Sequence, residues 1–272
     1  MMIMKGLKPR KQLGQHFLVD VNVARKIIRA LDVHPEEVIL EIGPGCGALT
    51  RFLRDQAKRL ILVELDARLV ASLRSDYQVE TTRILHQDFL DFDLRRASRE
   101  YKRKLRVVGN LPYNITSPIL FKLIDACDVV QNAVVMIQLE VAERIVARPH
   151  TKDYGILSVF CQFYSKPTLL FKVSPNAFSP RPKVYSGLLD LDFSRRPSHA
   201  LKDERLFRKV VRSTFGKRRK TLLNSLKYAD LPRTNGAFWK KVDFDLSRRP
   251  EDLTVEEFVN LTNRIAESIG HG

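Results

Sequence analysis

The chain has 272 residues, 44% of them hydrophobic and 29% charged, which is enough to bury a core in about two domains and too apolar for a disordered chain. Its 47 lysines and arginines against 31 aspartates and glutamates leave a net charge of +16, so a polyanionic partner is expected. Cys46, Cys127 and Cys161 are too widely spaced for a Cys-x-x-Cys site, and no apolar run approaches the ~18–20 residues of a membrane span; the expectation is a reducing, cytoplasmic setting with no metal and no membrane.

Lys5, Lys8, Arg10 and Lys11 open the chain as a basic arm. Val23, Ala24, Ile27, Ile28 and Leu31 then recur at helical spacing, with Asp20 placed to cap that helix. From 38 to 192, short β-branched or apolar runs alternate with amphipathic stretches. The runs 38–42, 60–64, 82–86, 105–108 and 133–137 read as strands separated by helix-length segments, the pattern of βαβ units in a parallel sheet with helices on both faces. Residues 156–163 read as a helix, and 167–173 and 184–193 as two further strands flanking a Pro-rich loop. Composition breaks at 194–199. Beyond it only helical periods remain: Leu206, Phe207, Val210 and Val211, then Leu222, Leu223 and Leu226, then Phe258, Leu261, Ile265 and Ile269 behind a Thr254-x-x-Glu257 capping box. The expected architecture is an α/β, Rossmann-like domain over 1–193 and a small all-helical domain over 194–272.

Glu41-Ile-Gly-Pro-Gly-Cys-Gly47 follows a predicted strand and opens a predicted helix, so Gly43 and Gly45 would let the backbone approach a ligand closely. The spacing Gly43-x-Gly45-x-x-Ala48 also fits a dinucleotide fingerprint, and a bland tight turn is a further reading. Glu64 ends the next strand, where an acidic side chain holds ribose hydroxyls, and Asp88 ends the third, within reach of an adenine amino group. Either alone reads as a solvated strand end; in series they favour a nucleoside site at the carboxyl edge of the sheet.

The fourth strand ends in Gly109-Asn-Leu-Pro-Tyr113, which resembles the Asn/Asp/Ser-x-Pro-Tyr/Phe motif of methyltransferases acting on exocyclic amines of nucleobases. Such an amine is a poor nucleophile because its lone pair is delocalised into the ring. The side-chain oxygen of Asn110 and the carbonyl of Leu111 would accept its two hydrogens and aim the lone pair at a sulfonium methyl, with Pro112 fixing the turn and Tyr113 stacking on the flipped base. Phe178, in the proline-rich run 178–184, is weighed evenly between a second ring sandwiching the base and a packed loop anchor.

Together these residues resemble the bacterial 16S ribosomal RNA adenine dimethyltransferase family (the KsgA or RsmA family) nearly end to end. The resemblance includes Lys11-Gln-Leu-Gly-Gln-His-Phe-Leu18, Glu64-Leu-Asp66, Gln87-Asp88, Gln138-x-Glu140-Val-Ala-Glu-Arg144, Tyr154-Gly155 and Phe215-Gly-Lys-Arg-Arg-Lys-Thr-Leu222. It implies S-adenosylmethionine as donor and two adjacent adenosines near the 3′ end of 16S rRNA in the small ribosomal subunit or its precursor as substrate, with a role in subunit biogenesis for a monomeric enzyme. The implied donor contacts are His16 through its backbone, Leu18, Gly43, Glu64, Asp88 and Asn110. Three rival readings stand beside it: a macrolide-resistance type enzyme acting on 23S RNA, a non-catalytic RNA-binding assembly factor on the same fold, and a dehydrogenase.

Between Arg195 and Lys227 lie twelve lysines and arginines against only Asp203 and Glu204. A run so nearly of one sign is expected to dock RNA rather than serve as a merely solvated face, with Lys217, Arg218, Arg219 and Lys220 gripping phosphates.

Overall fold

The structure, a computed structural model, describes residues 8–77, 80–195, 200–227, 229, 231 and 236–270. Lys5 of the basic arm, and Arg196 together with 197–199 of the composition break, lie outside the described residues.

The strands are β1 (Phe17–Leu18), β2 (Val38–Ile42), β3 (Arg59–Glu64), β4 (Thr82–His86), β5 (Leu105–Asn110), β6 (Val130–Gln138), β7 (Lys166–Val173), β8 (Phe178–Ser179) and β9 (Ser186–Asp192). The helices are α1 (Val21–Leu31), α2 (Thr50–Gln56), α3 (Ala67–Tyr77), α4 (Leu94–Tyr101), α5 (Thr116–Asp125), α6 (Leu139–Ile145), α7 (Ile156–Tyr164), α8 (Glu204–Gly216), α9 (Leu222–Leu226), α10 (Gly236–Lys241) and α11 (Val255–Gly270). Asp20 caps α1 as its sequence position suggests, accepting from the backbone N–H groups of Asn22 and Val23 and so satisfying donors that a helix start leaves unpaired.

Seven strands form one sheet in the order β4-β3-β2-β5-β6-β9-β7. The first five run parallel, as the alternation of the five runs predicts, whereas β9, whose direction no pattern in the sequence signals, is antiparallel to both β6 and β7, so the sheet is mixed. The reason lies in the connection: between β7 and β9 the chain makes a 3₁₀ turn at Pro175–Ala177 and the two-residue β8 in place of the crossover helix that a parallel return requires. β8 instead pairs antiparallel with β1, Leu18 opposite Phe178.

Both faces of the sheet are covered. Ile39, Leu60, Leu62, Val108, Val134 and Met136 join Ile27, Ile28, Leu31, Leu53, Val70 and Leu73 of α1, α2 and α3 in one cluster. The alternate strand residues Leu40, Ile61, Val63, Val107 and Val135 are buried as well, which is why these strands read as continuous apolar runs rather than alternating ones.

By its internal contacts the chain forms two units, 1–143 with 165–195, and 144–164 with 196–272. The second therefore takes α7 from the middle of the sequence as well as the C-terminal helices, where a single boundary at 193/194 is expected. The cause is aromatic: Phe160 and Phe163 lie 6.0 and 4.4 Å, centroid to centroid, from Phe207 of α8, and the Tyr164 hydroxyl donates to Glu204 at 2.7 Å. Within this unit the capping box of α11 forms as its motif implies, with Thr254 N donating to Glu257 Oε2 at 2.8 Å and Glu257 N to Thr254 Oγ1 at 3.2 Å.

Candidate active site

The site is built at the carboxyl edge of the parallel strands, all within the first unit. After β2 the chain turns through Gly43 at φ +59° and Gly45 at φ +58°, values that glycine adopts without steric cost. A Cβ on Gly45 would approach the Phe17 ring to 3.1 Å, whereas one on Gly43 would meet no protein atom within 4 Å, so the space over Gly43 is open to a ligand.

Glu64, at the end of β3, is 6% exposed. Its Oε2 accepts from Gly45 N at 3.1 Å and its Oε1 from Asp66 N at 2.9 Å. Burial pushes this carboxyl above the ordinary range and the backbone donors oppose the shift. Each oxygen keeps a further lone pair for a hydroxyl donor. Beneath the glycine loop Glu41 is fully buried, accepts from Thr50 Oγ1 at 2.7 Å, and is pushed by desolvation to about 8. Asp88, beyond β4, spends one oxygen on Leu90 N at 2.8 Å, capping the turn that follows and leaving the other oxygen available.

At the end of β5, Asn110 Nδ2 donates to the carbonyl of His16 at 2.7 Å. An acceptor at that distance identifies the amide nitrogen, so Oδ1 is the atom left to accept from a substrate. Leu111 N donates to Met136 O at 3.0 Å, holding the peptide that follows β5, and the Pro112 carbonyl accepts from Ile115 N at 3.2 Å and Thr116 Oγ1 at 3.1 Å. The Tyr113 hydroxyl lies 2.7 Å from Ser186 Oγ. His16 stacks on Tyr113 with centroids 5.6 Å apart and planes 26° from parallel, while its Nδ1–H donates to Pro180 O at 2.7 Å.

One cavity is lined by His16, Gly43, Gly45, Glu64, Asp88, Asn110, Leu111, Pro112 and Tyr113, which brings nearly all the site residues expected from sequence together. Two stand apart. Leu18 and Phe178 face each other in the β1–β8 pair, both lie in the hydrophobic cluster, Phe178 is 4% exposed, and neither lines this cavity. Phe178 is thus the packed loop anchor and not the second ring on a base, because its ring is spent on the core. Leu18 borders a smaller cavity beside Glu41 and Cys46.

Three residues have roles at the site that a reading by motif does not give. Ser186 holds Tyr113 from 73 residues away, and no local pattern signals that. Asp66 is buried and accepts from Arg68 Nη2 at 2.6 Å and Gln15 Nε2 at 3.2 Å, which holds its carboxyl near 2 and ties the N-terminal segment to the end of β3; only its place in Glu64-Leu-Asp66 hints at a role. His16, expected at the site through its backbone, lines the cavity and also uses its carbonyl to fix the Asn110 amide, a role the motif does not signal.

In the second unit, the run 217–220 forms the turn between α8 and α9. Lys217, Arg219 and Lys220 are exposed, whereas Arg218 is engaged, its Nε donating to Glu251 at 2.6 Å and its Nη1 and Nη2 to the carbonyls of Lys152 and Thr151 at 2.6 and 3.0 Å. Among the described residues no three His, Cys, Asp or Glu side chains are grouped to share a metal ion, and no helix is long and apolar enough to cross a membrane.

With that geometry in hand, the family described as "Ribosomal RNA adenine dimethylase" matches residues 6–267. The chain belongs to the ribosomal RNA adenine dimethylase family. Its activity is accordingly methyl transfer to adenine in ribosomal RNA. Curated relatives named Ribosomal RNA small subunit methyltransferase A include one from Bacteroides thetaiotaomicron, 44% identical over 270 residues (98% of this chain, 97% of that protein), and one from Caldanaerobacter subterraneus subsp. tengcongensis, 41% identical over 263 residues (95% and 98%). Among solved structures, a dimethyladenosine transferase from Plasmodium falciparum has a TM-score of 0.77 at 24% identity, over 93% of this chain and 98% of that one. The 23S rRNA methyltransferase ErmE has a TM-score of 0.67 at 26% identity, over 92% and 99%. The family and the fold agree with the α/β, Rossmann-like methyltransferase expected from the motifs.

Proposed function

We propose that this dimethylase converts two adjacent adenosines near the 3′ end of 16S rRNA to N6,N6-dimethyladenosine, with S-adenosylmethionine as donor, in the small ribosomal subunit or its precursor. The observation that carries the reading is the fixed amide of Asn110, its oxygen freed for a substrate by the bond from Nδ2 to His16 O, in the same cavity as the glycine loop and Glu64. The relatives named for the small subunit support 16S over 23S RNA. A monomeric, cytoplasmic enzyme that needs no metal for transfer completes the proposal.

The donor set suits S-adenosylmethionine. A buried carboxylate with two lone pairs to spare suits a ribose diol, the second oxygen of Asp88 suits an adenine amino group, and the open space over Gly43 admits the chain that joins sugar to sulfur. When bound, this donor supplies an electrophilic sulfonium methyl. The work of the protein is then alignment. Asn110 Oδ1 accepts one hydrogen of the adenine amine, and the Leu111 carbonyl, which accepts no bond from the described residues, takes the other. Both draw the nitrogen toward tetrahedral geometry and turn its lone pair toward the methyl. Tyr113 offers its ring to the base. No strong general base is needed, since the methylated amine is acidic enough to lose its proton to water. After one transfer the amine keeps a single hydrogen and satisfies one acceptor only, so monomethyladenosine should build up transiently before the dimethylated product.

Mass analysis of 16S and 23S RNA after incubation of small and large subunits with labelled donor tests this reading. The parent enzyme should yield dimethyladenosine in 16S RNA, with the monomethylated species early in the time course. Asn110→Ala should abolish transfer while RNA affinity changes little, because Asn110 acts chiefly in aligning the transition state. Label confined to 23S RNA would overturn the substrate assignment, and parental transfer by Asn110→Ala would overturn the site.

A further inference from the structure

Residues 180–185, which join β8 to β9, have both ends tied to the target ring. At one end the Pro180 carbonyl accepts from His16 Nδ1, and His16 stacks on Tyr113. At the other, Ser186 Oγ meets the Tyr113 hydroxyl at 2.7 Å, and the carbonyl of Tyr185 is held by Leu139 N at 2.9 Å. Pro182 is buried between them, while Arg181, Lys183 and Val184 are exposed. Tyr185 is 56% exposed, the most exposed large apolar side chain among the described residues. No described side chain pairs with Arg181, Lys183 or the ring of Tyr185.

A ring so exposed adds little to the hydrophobic core, yet its backbone is fixed, and two exposed cations precede it by four and two residues in a chain of net charge +16. Aromatic faces with neighbouring cations bind single-stranded nucleic acid by stacking on bases and meeting phosphates, with little regard to sequence. Drawing the target base out of its stack also leaves the adjoining base without a partner. Tyr185 sits one residue, ~3.8 Å along the Cα trace, from the serine that touches Tyr113.

We infer that Tyr185, with Arg181 and Lys183, is a landing platform for the RNA strand beside the target: the Tyr185 ring stacks on the nucleotide next to the adenosine held at Tyr113, and the two cations meet the adjoining phosphates. This rests on the reading of the Tyr113 cavity as the target pocket. It gives the second of two adjacent adenosines, or the nucleotide on the other side, a defined place while its neighbour is in the pocket.

The probe is a single-stranded RNA with two adjacent adenosines and 2-aminopurine at the flanking position, 5′ in one strand and 3′ in another, with donor affinity followed by calorimetry. The parent protein should quench the fluorescence of one of the two strands on binding. Tyr185→Ala should abolish that quenching and weaken binding about 5- to 100-fold, Tyr185→Phe should restore both, and donor affinity should be parental throughout. Tyr185→Gln removes the ring at no cost in solubility or charge and should behave like Tyr185→Ala. Arg181→Gln with Lys183→Gln should lower the salt slope of log K by ~0.7 for each phosphate no longer neutralised and keep the quenching at saturation. A parent that binds without quenching either strand, or a ring-less variant with parental quenching and affinity, overturns the platform. Parental transfer by Asn110→Ala instead overturns the pocket reading beneath it.

Discussion

Tyr113 combines two parts that substitution can separate. Its ring lies against His16 and is offered to the base, and its hydroxyl meets Ser186, which is itself buried. Tyr113→Phe keeps the ring and strips Ser186 of that partner, so it should cost ~1 kcal/mol of stability while most activity persists. Tyr113→Ala should lose in addition ~1–3 kcal/mol of base stacking, read as a rise in KM for the subunit. Thermal melts beside steady-state kinetics separate the two, and equal inactivity of both variants would assign the role to the hydroxyl. Glu41 makes a prediction in pH. Its buried carboxyl titrates near 8 rather than 4.5, so the folded state favours the proton. The stability this contributes is complete below the ordinary value and is lost as pH rises toward about 8, at about 1.4 kcal/mol per unit. Glu41→Gln keeps an acceptor for Thr50 and removes the titration. The variant should melt close to the parent near pH 5 and well above it near pH 8; parallel melting profiles would show that Glu41 is ionised at little cost.

Among the elements, α11 rests on a reciprocal cap that Thr254 and Glu257 form with each other's backbone, and Arg248 braces Glu257 from the side, lowering its pKa. Thr254→Ala should cost ~1 kcal/mol, within the usual ~0.5–2 kcal/mol for such caps, visible as a lower melting temperature at unchanged donor affinity. A variant that melts like the parent would mean that packing alone holds the helix start. This cap, like that of α1, was legible in the sequence because it depends on residues three apart. The strands of the parallel region were legible for a similar reason, since burial on both faces leaves continuous apolar runs. What escaped were pairings between distant segments: β1 against β8, the antiparallel return of β9, and α7 against α8, whose apolar face carries no mark of the partner it meets. The site divides in the same way. Gly43, Glu64, Asp88 and Asn110 were legible because each lies at or just beyond the end of a strand along one sheet edge. Ser186 was not, and the two readings of Phe178 stay even in the sequence because an aromatic in a proline-rich loop reads alike whether it faces a base or the core.

Over the whole molecule, the twelve lysines and arginines between 195 and 227 overstate how many cations of that run a nucleic acid would meet. Of the cations between 195 and 227, Arg195 is paired with Asp192 at 3.3 Å, Lys202 with Glu267 at 2.7 Å, and Arg208 with Tyr164 and Glu204. Arg218 is the clearest case. Its guanidinium serves one carboxylate and two backbone carbonyls within the second unit, the fork-like geometry that arginine supplies and lysine does not. In the proposed docking run, Arg218 is thus a brace, and the exposed Arg219 and Lys220 beside it are the groups offered to phosphate. Arg219→Gln combined with Lys220→Gln should lower the salt slope of subunit binding by ~0.7–0.9 for each phosphate no longer neutralised and leave the melting temperature unchanged. Arg218→Gln should do the reverse, because it leaves the Glu251 carboxylate and the carbonyls of Thr151 and Lys152 without their donor. Both variants should bind S-adenosylmethionine as the parent does, since the residues proposed to hold it all belong to the first unit. A flattened slope in Arg218→Gln at the parental melting temperature, with no change in the double variant, would exchange the two roles.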